Sequence, residues 1–173
     1  DIQQEGIFYP GAGWLSPPSV CETACDHPNI DIITHCEAIS LSDDGNTWQV
    51  VDRSGRTVAK ADAIVIANSS DALQFTQSQY LPLRKIRGQI SIFDEKSIQR
   101  RPRCVVCHKG YIAPPAKQQL CIGASFDLKN SDCELRDQDH QFNLDTLAAL
   151  SEGVLKPASK PSGGSLLDVR LAR

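Results

Sequence analysis

Two clusters of residues in this chain spell known chemistry. Cys104-Val-Val-Cys107-His108 has the spacing at which paired thiols and an imidazole attach a c-type haem. The same pair of thiols can begin a zinc site. Haem needs a second axial ligand, yet methionine is absent and His27, His35 and His140 have no supporting context. Zinc needs two more ligands, and Cys121 and Cys133 form neither a second Cys-x-x-Cys nor a His-x-His pair. Core thiols are the simpler reading, so neither haem nor any metal is expected. Gly11-Ala-Gly13-Trp-Leu-Ser16 nearly matches the dinucleotide fingerprint. That loop offers helix N-terminal amides to a pyrophosphate, and Pro17-Pro18 would remove two of them. No Ser/His/Asp or Cys/His arrangement stands out.

Charge is the next signal. The 173 residues carry a net charge of −3, which favours no class of partner. The distribution is uneven. Residues 84–103 hold Arg84, Lys85, Arg87, Lys96, Arg100, Arg101 and Arg103 against only Asp94 and Glu95. Such a stretch is either a solvated edge or an attraction for phosphate-rich partners. The seven cysteines are dispersed and odd in number, which suits a reducing, cytoplasmic compartment. No apolar segment is long enough to span a membrane, so no membrane partner is expected. The lack of methionine and a strand-like final run lead to the expectation of an internal piece of a larger enzyme.

These residues need elements to position them. Gly6–Pro10 reads as a short strand and Pro17–Cys25 as a helix with proline at its first position. Residues 30–41 are β-rich. Asp43-Asp44-Gly45-Asn46 is a turn, and strands follow at 47–52 and 57–60. Ala61–Ala67 is nearly all apolar and reads as a strand buried on both faces. After Pro82 the texture shifts to alternating strands near 84–93, 103–107, 110–113 and 119–126. Residues 136–150 put Phe142, Leu144, Leu147 and Leu150 on a helical stripe, and 157–164 read as a loop. The expected class is α+β. A largely antiparallel or mixed sheet would make a truncated substrate-binding domain at 81–173, and 1–80 would be part of a FAD-type α/β domain.

Four segments in order carry a resemblance. They are Phe8-Tyr-Pro-Gly-Ala-Gly-Trp-Leu-Ser-Pro17, Ala61-Asp-Ala-Ile-Val-Ile-Ala-Asn-Ser-Ser-Asp71 and Leu81-Pro-Leu-Arg-Lys-Ile-Arg-Gly-Gln-Ile90. The last is Lys109-Gly-Tyr-Ile-Ala-Pro114 with Leu120-Cys-Ile-Gly-Ala-Ser125. Together the chain resembles the D-amino-acid-oxidase-like superfamily of FAD oxidoreductases. Gly13-Trp-Leu-x-Pro17, Ala67-Asn68 and Cys121-Ile-Gly-Ala-Ser125 look most like the oxidoreductase half of the bifunctional tRNA 5-methylaminomethyl-2-thiouridine biosynthesis family.

The resemblance implies a flavin reaction. FAD would oxidise the C–N bond of a carboxymethylaminomethyl group on the tRNA wobble uridine, and glyoxylate would leave. A fused methyltransferase half would then methylate the amine using S-adenosylmethionine. It further implies that Glu37 lies where the adenine is held, and that Ala67, Asn68 and Ser69 let the cofactor approach the backbone. Trp14, Arg87, Gln89 and Tyr111 would serve the substrate side, with the fork of Arg170 on a carboxylate. The strand–Gly-x-Gly–helix of the family is not present, so a chain with these ends is expected to bind FAD poorly. Two alternatives stay open: a fragment of an amino-acid or glycine oxidase, and a binding domain without chemistry.

Overall fold

The computed structural model describes residues 5–167 and 170–171, and beyond Gly164 the backbone alone. The chain divides into two compact units. The first gathers the segment up to Leu15 with the chain from Lys85 onward. The second holds Ser16–Arg84 and the last strand.

The second unit starts with helix α1 (Pro17–Cys25), which has proline at its first turn as expected. A meander follows: β1 (Ala38–Asp43), β2 (Trp48–Asp52) and β3 (Thr57–Ala61), all antiparallel. Its first turn is built by Asp44, whose carboxylate accepts from the amides of Asn46 and Thr47. Gly45 there sits at φ +88°, a left-handed conformation that only glycine adopts without strain. A short 3-10 helix, Ser69–Gln74, comes next, and β4 (Leu83–Arg84) pairs with β10 (Arg170–Leu171).

The first unit is one antiparallel sheet crossed by one helix. Its strands are β5 (Gly88–Asp94), β6 (Val106–Cys107), β7 (Tyr111–Ile112), β8 (Gln119–Gly123) and β9 (Gly163–Leu167). Their spatial order is β6-β7-β8-β5-β9. Helix α2 (Asp137–Leu150) covers one face. Strand side chains alternate between faces. Phe93, Ile112, Leu120 and Ile122 therefore point together and form the core with Leu147 and Val154. Glycines permit close approach: a Cβ on Gly110 would lie 2.7 Å from the carbonyl oxygen of Gly123.

The α+β class and its antiparallel sheets are as expected, but two strands are not. Residues 6–9 belong to no strand. Residues 62–68 are irregular, and Val65 is 88% exposed. An apolar run becomes a buried strand only where neighbours take its amides and carbonyls. Among the described residues, none pairs with this one. Gly163 and Gly164, read as loop, are in β9 instead and pair with Ile92 and Ser91.

Candidate functional site

The sheet of the first unit has two chemically different faces, and β5 generates both. Gln89, Ser91 and Phe93 point toward α2 and are fully buried. Ile90 and Ile92 point the other way. Cross-strand pairing puts Cys121 beside Ile92, and Gly123 beside Tyr111. A Cβ on Gly123 would lie 2.8 Å from Ile90 Cγ2, so the glycine keeps this patch flat.

The open patch is uncharged. Burial, with the neighbouring Cys121 and Cys107 thiols, pushes the Tyr111 hydroxyl up to about 12. Burial also raises the Cys121 thiol, against the hydrogen bond from Tyr111. Both groups therefore remain protonated near neutrality, and Cys121 is no thiolate nucleophile. A half-buried, flat, apolar patch with one phenolic donor is suited to one face of a planar ring.

The covered face is polar and closed. Arg87 is 3% exposed. Its Nη2 donates to Gln89 Oε1 at 2.9 Å, to the Glu134 carbonyl at 2.8 Å and to Asp139 Oδ2 at 2.7 Å. The Gln89 amide clamps the main chain of Arg136: Nε2 donates to the carbonyl and Oε1 accepts from the N–H, each at 2.9 Å. Arg136 is the cap residue of α2 and makes no side-chain cap bond. The helix start is thus fixed from the sheet. Ser91 Oγ shares a 2.7 Å hydrogen bond with His140 Nδ1.

The residues singled out from sequence fall in several places. Tyr111 is on the open patch, whereas Arg87 and Gln89 are inside the covered network. Trp14 lines an open cavity of about 700 Å³ beside Arg103, Cys104 and Cys107. In the second unit Glu37 is exposed and pairs with Arg53 at 2.8 Å, which holds its carboxyl below the usual carboxylate range. Ala67, Asn68 and Ser69 are exposed at the start of the 3-10 helix, with Ser69 at φ +60°. Gln74 at the end of that helix donates to the carbonyl of Ala38, next to Glu37. The Arg170 side chain lies outside the described residues. The covered network also takes in Ser91, Ser125, His140 and Asn143, none of them among the site residues expected from the sequence. The signal available was polar residues at the inward alternation of β5.

Among the described residues no group of three or more His, Cys, Asp or Glu is arranged to hold a metal. All seven cysteines are free. No described helix is long and apolar enough to cross a membrane.

The model of the FAD dependent oxidoreductase family matches residues 1–167, and the chain belongs to that family. Its cofactor is FAD. The chain is 39% identical over 150 residues to the tRNA 5-methylaminomethyl-2-thiouridine biosynthesis bifunctional protein MnmC of Stutzerimonas stutzeri (strain A1501), covering 87% of this chain and 23% of that protein. It is 38% identical over 150 residues to the protein of the same name from Saccharophagus degradans (strain 2-40), covering 86% and 21%. The chain thus spans less than a quarter of the length of these curated relatives. Among solved structures, glycine oxidase from Geobacillus kaustophilus aligns with a TM-score of 0.63 at 19% identity, over 82% of this chain and 37% of that one. Iminodiacetate oxidase from Chelativorans sp. BNC1 aligns at 0.60 and 17% identity, over 77% and 36%. At these identities the likeness speaks for the fold.

Proposed function

We propose that this chain carries the substrate sheet of a FAD-dependent oxidoreductase that removes the carboxymethyl group, as glyoxylate, from carboxymethylaminomethyl-(2-thio)uridine at the tRNA wobble position. The observation that carries the reading is the 39% identity to the bifunctional tRNA-modifying protein, spread over 87% of this chain. A cytoplasmic location and a fused S-adenosylmethionine-dependent methyltransferase come with it. FAD, when bound, supplies the two-electron oxidation of the substrate C–N bond. Water then completes the cleavage, and the primary amine stays on the uridine.

The chain's own residues have the remaining tasks in this reading. Ile90, Ile92 and Gly123 present a flat apolar floor that keeps water from the ring. Tyr111 offers a hydroxyl that donates, because it stays protonated. Arg87 and Gln89 position β5 through the covered network. Glu37 and Ala67–Ser69 would hold the adenosine and ribityl parts by backbone contacts. Trp14 would meet the substrate, and Arg170 would grip its carboxylate.

A second reading is a glycine-oxidase type enzyme, a class that shares this fold. One experiment separates the two. The full-length protein is incubated with tRNA carrying the carboxymethylaminomethyl group, and the digested nucleosides are weighed by mass spectrometry. Loss of the carboxymethyl mass with matching glyoxylate supports the first reading. Unchanged tRNA alongside oxidation of free glycine would overturn it.

A further inference from the structure

Beyond Trp14, the cavity that it lines holds rings and a cation to which the proposed function gives no task. One short segment supplies Phe8, Tyr9 and Trp14, which are 74%, 66% and 41% exposed. The opposite wall supplies Arg103, Cys104 and Cys107. No Asp or Glu is among the residues that line it. Its volume of about 700 Å³ exceeds what a nucleoside needs and falls in the usual range for small-molecule sites. Arg103 and Cys104 also wall a smaller cavity of about 170 Å³ lined by Arg100 and Arg101. Arg101 is ion-paired with Glu95, while Arg103 has no ion pair among the described residues.

Exposed rings without a carboxylate, next to an unneutralised guanidinium, match one ligand chemistry well. Bases stack on aromatic faces whatever their sequence, and the cation takes the adjoining phosphate. We infer that this cavity is a stacking subsite for an unpaired base of a single-stranded RNA segment, with Arg103 on the neighbouring phosphate. The inference rests on the tRNA reading above and names where part of that RNA docks.

The test uses the full-length protein and three ligands in a filter-binding assay: a short oligouridylate, an abasic ribose-phosphate oligomer of equal length, and tRNA. The oligouridylate is expected to bind at least about tenfold more tightly than the abasic oligomer. Trp14→Leu and Tyr9→Leu should each weaken it by a factor on the order of 5 to 150. Trp14→Phe keeps a ring and should keep most of the affinity, which separates stacking from misfolding. Arg103→Glu should weaken both oligomers and flatten the salt dependence. Equal binding of the two oligomers, or no effect of Trp14→Leu, overturns the inference. If tRNA binds but ignores Trp14→Leu, this subsite fails and the proposed function stands. If tRNA does not bind at all, both fail.

Discussion

Asn143 of α2 holds β5 by its main chain: its Nδ2 donates to the carbonyl of Gln89 at 2.9 Å and to Ser91 Oγ at 3.0 Å. The same carbonyl accepts from the amide of Ser125. One strand is thereby tied both to the helix above it and to the segment beyond β8. Asn143→Ala would strip a donor from two buried acceptors and should cost about 2–3 kcal/mol. Urea unfolding checks this as a lowered midpoint with an unchanged slope.

Arg87 is a buried cation held chiefly by Asp139. Its Nε lies 3.7 Å from Asp132 Oδ1, near enough for attraction and too far for a hydrogen bond. Removing one partner of a buried pair leaves the other uncompensated. Arg87→Ala should therefore destabilise by about 3–5 kcal/mol. Arg87→Lys should restore little, since an ammonium cannot reproduce the planar fork. Thermal unfolding of the two variants side by side is the measurement.

Gly123 leaves room for Ile90. In Gly123→Ala the new methyl would meet Ile90 Cγ2 at 2.8 Å and its Cα at 3.3 Å. Overpacking of this kind costs about 1–3 kcal/mol. Ile90→Ala removes the clashing methyl, so the double variant should lose less than the sum of the two single losses. A double-mutant cycle reads that coupling directly.

Tyr111 links stability to alkaline pH. An unfolded tyrosine ionises near 10, whereas Tyr111 is raised to about 12 in the fold. Its neutral form is the one the fold favours. The stabilisation is complete below pH ~10 and fades as pH rises through ~12. Stability should fall across that window, and Tyr111→Phe should remove this component of the fall. Denaturant midpoints at stepped pH, with tyrosinate absorbance followed in parallel, test it.

The hairpins were the most legible part of the fold. Asp43-Asp44-Gly45-Asn46 carries its own turn chemistry, and Pro17 marks a helix start by its missing N–H. Helix α2 lies where the sequence places it, and Leu144, Leu147 and Leu150 turn inward as expected. Phe142 alone departs from that stripe, being 48% exposed. The stripe that meets the sheet runs through His140, Asn143, Leu147 and Leu150, half of it polar. A periodicity search that scores only apolar residues cannot find it, because those polar groups are buried with partners on another element. Residues 61–67 failed for the complementary reason. Their composition suits a buried strand, yet composition does not supply a neighbour. Tyr111 could be picked out as an aromatic beside Gly110, but its protonation is set by burial first and then by Cys121 and Cys107, which come from two different strands.

The alternation along β5 has a consequence for how this protein can vary. Every second residue belongs to the sealed network, and every other one to the open floor. A single inserted or deleted residue would carry Gln89 and Ser91 out to the floor and drive Ile90 and Ile92 against His140 and Asn143. Substitutions in this strand damage one face at a time, while a change of length damages both together. Across descendants of this gene, β5 should accumulate altered letters long before it accepts a gap.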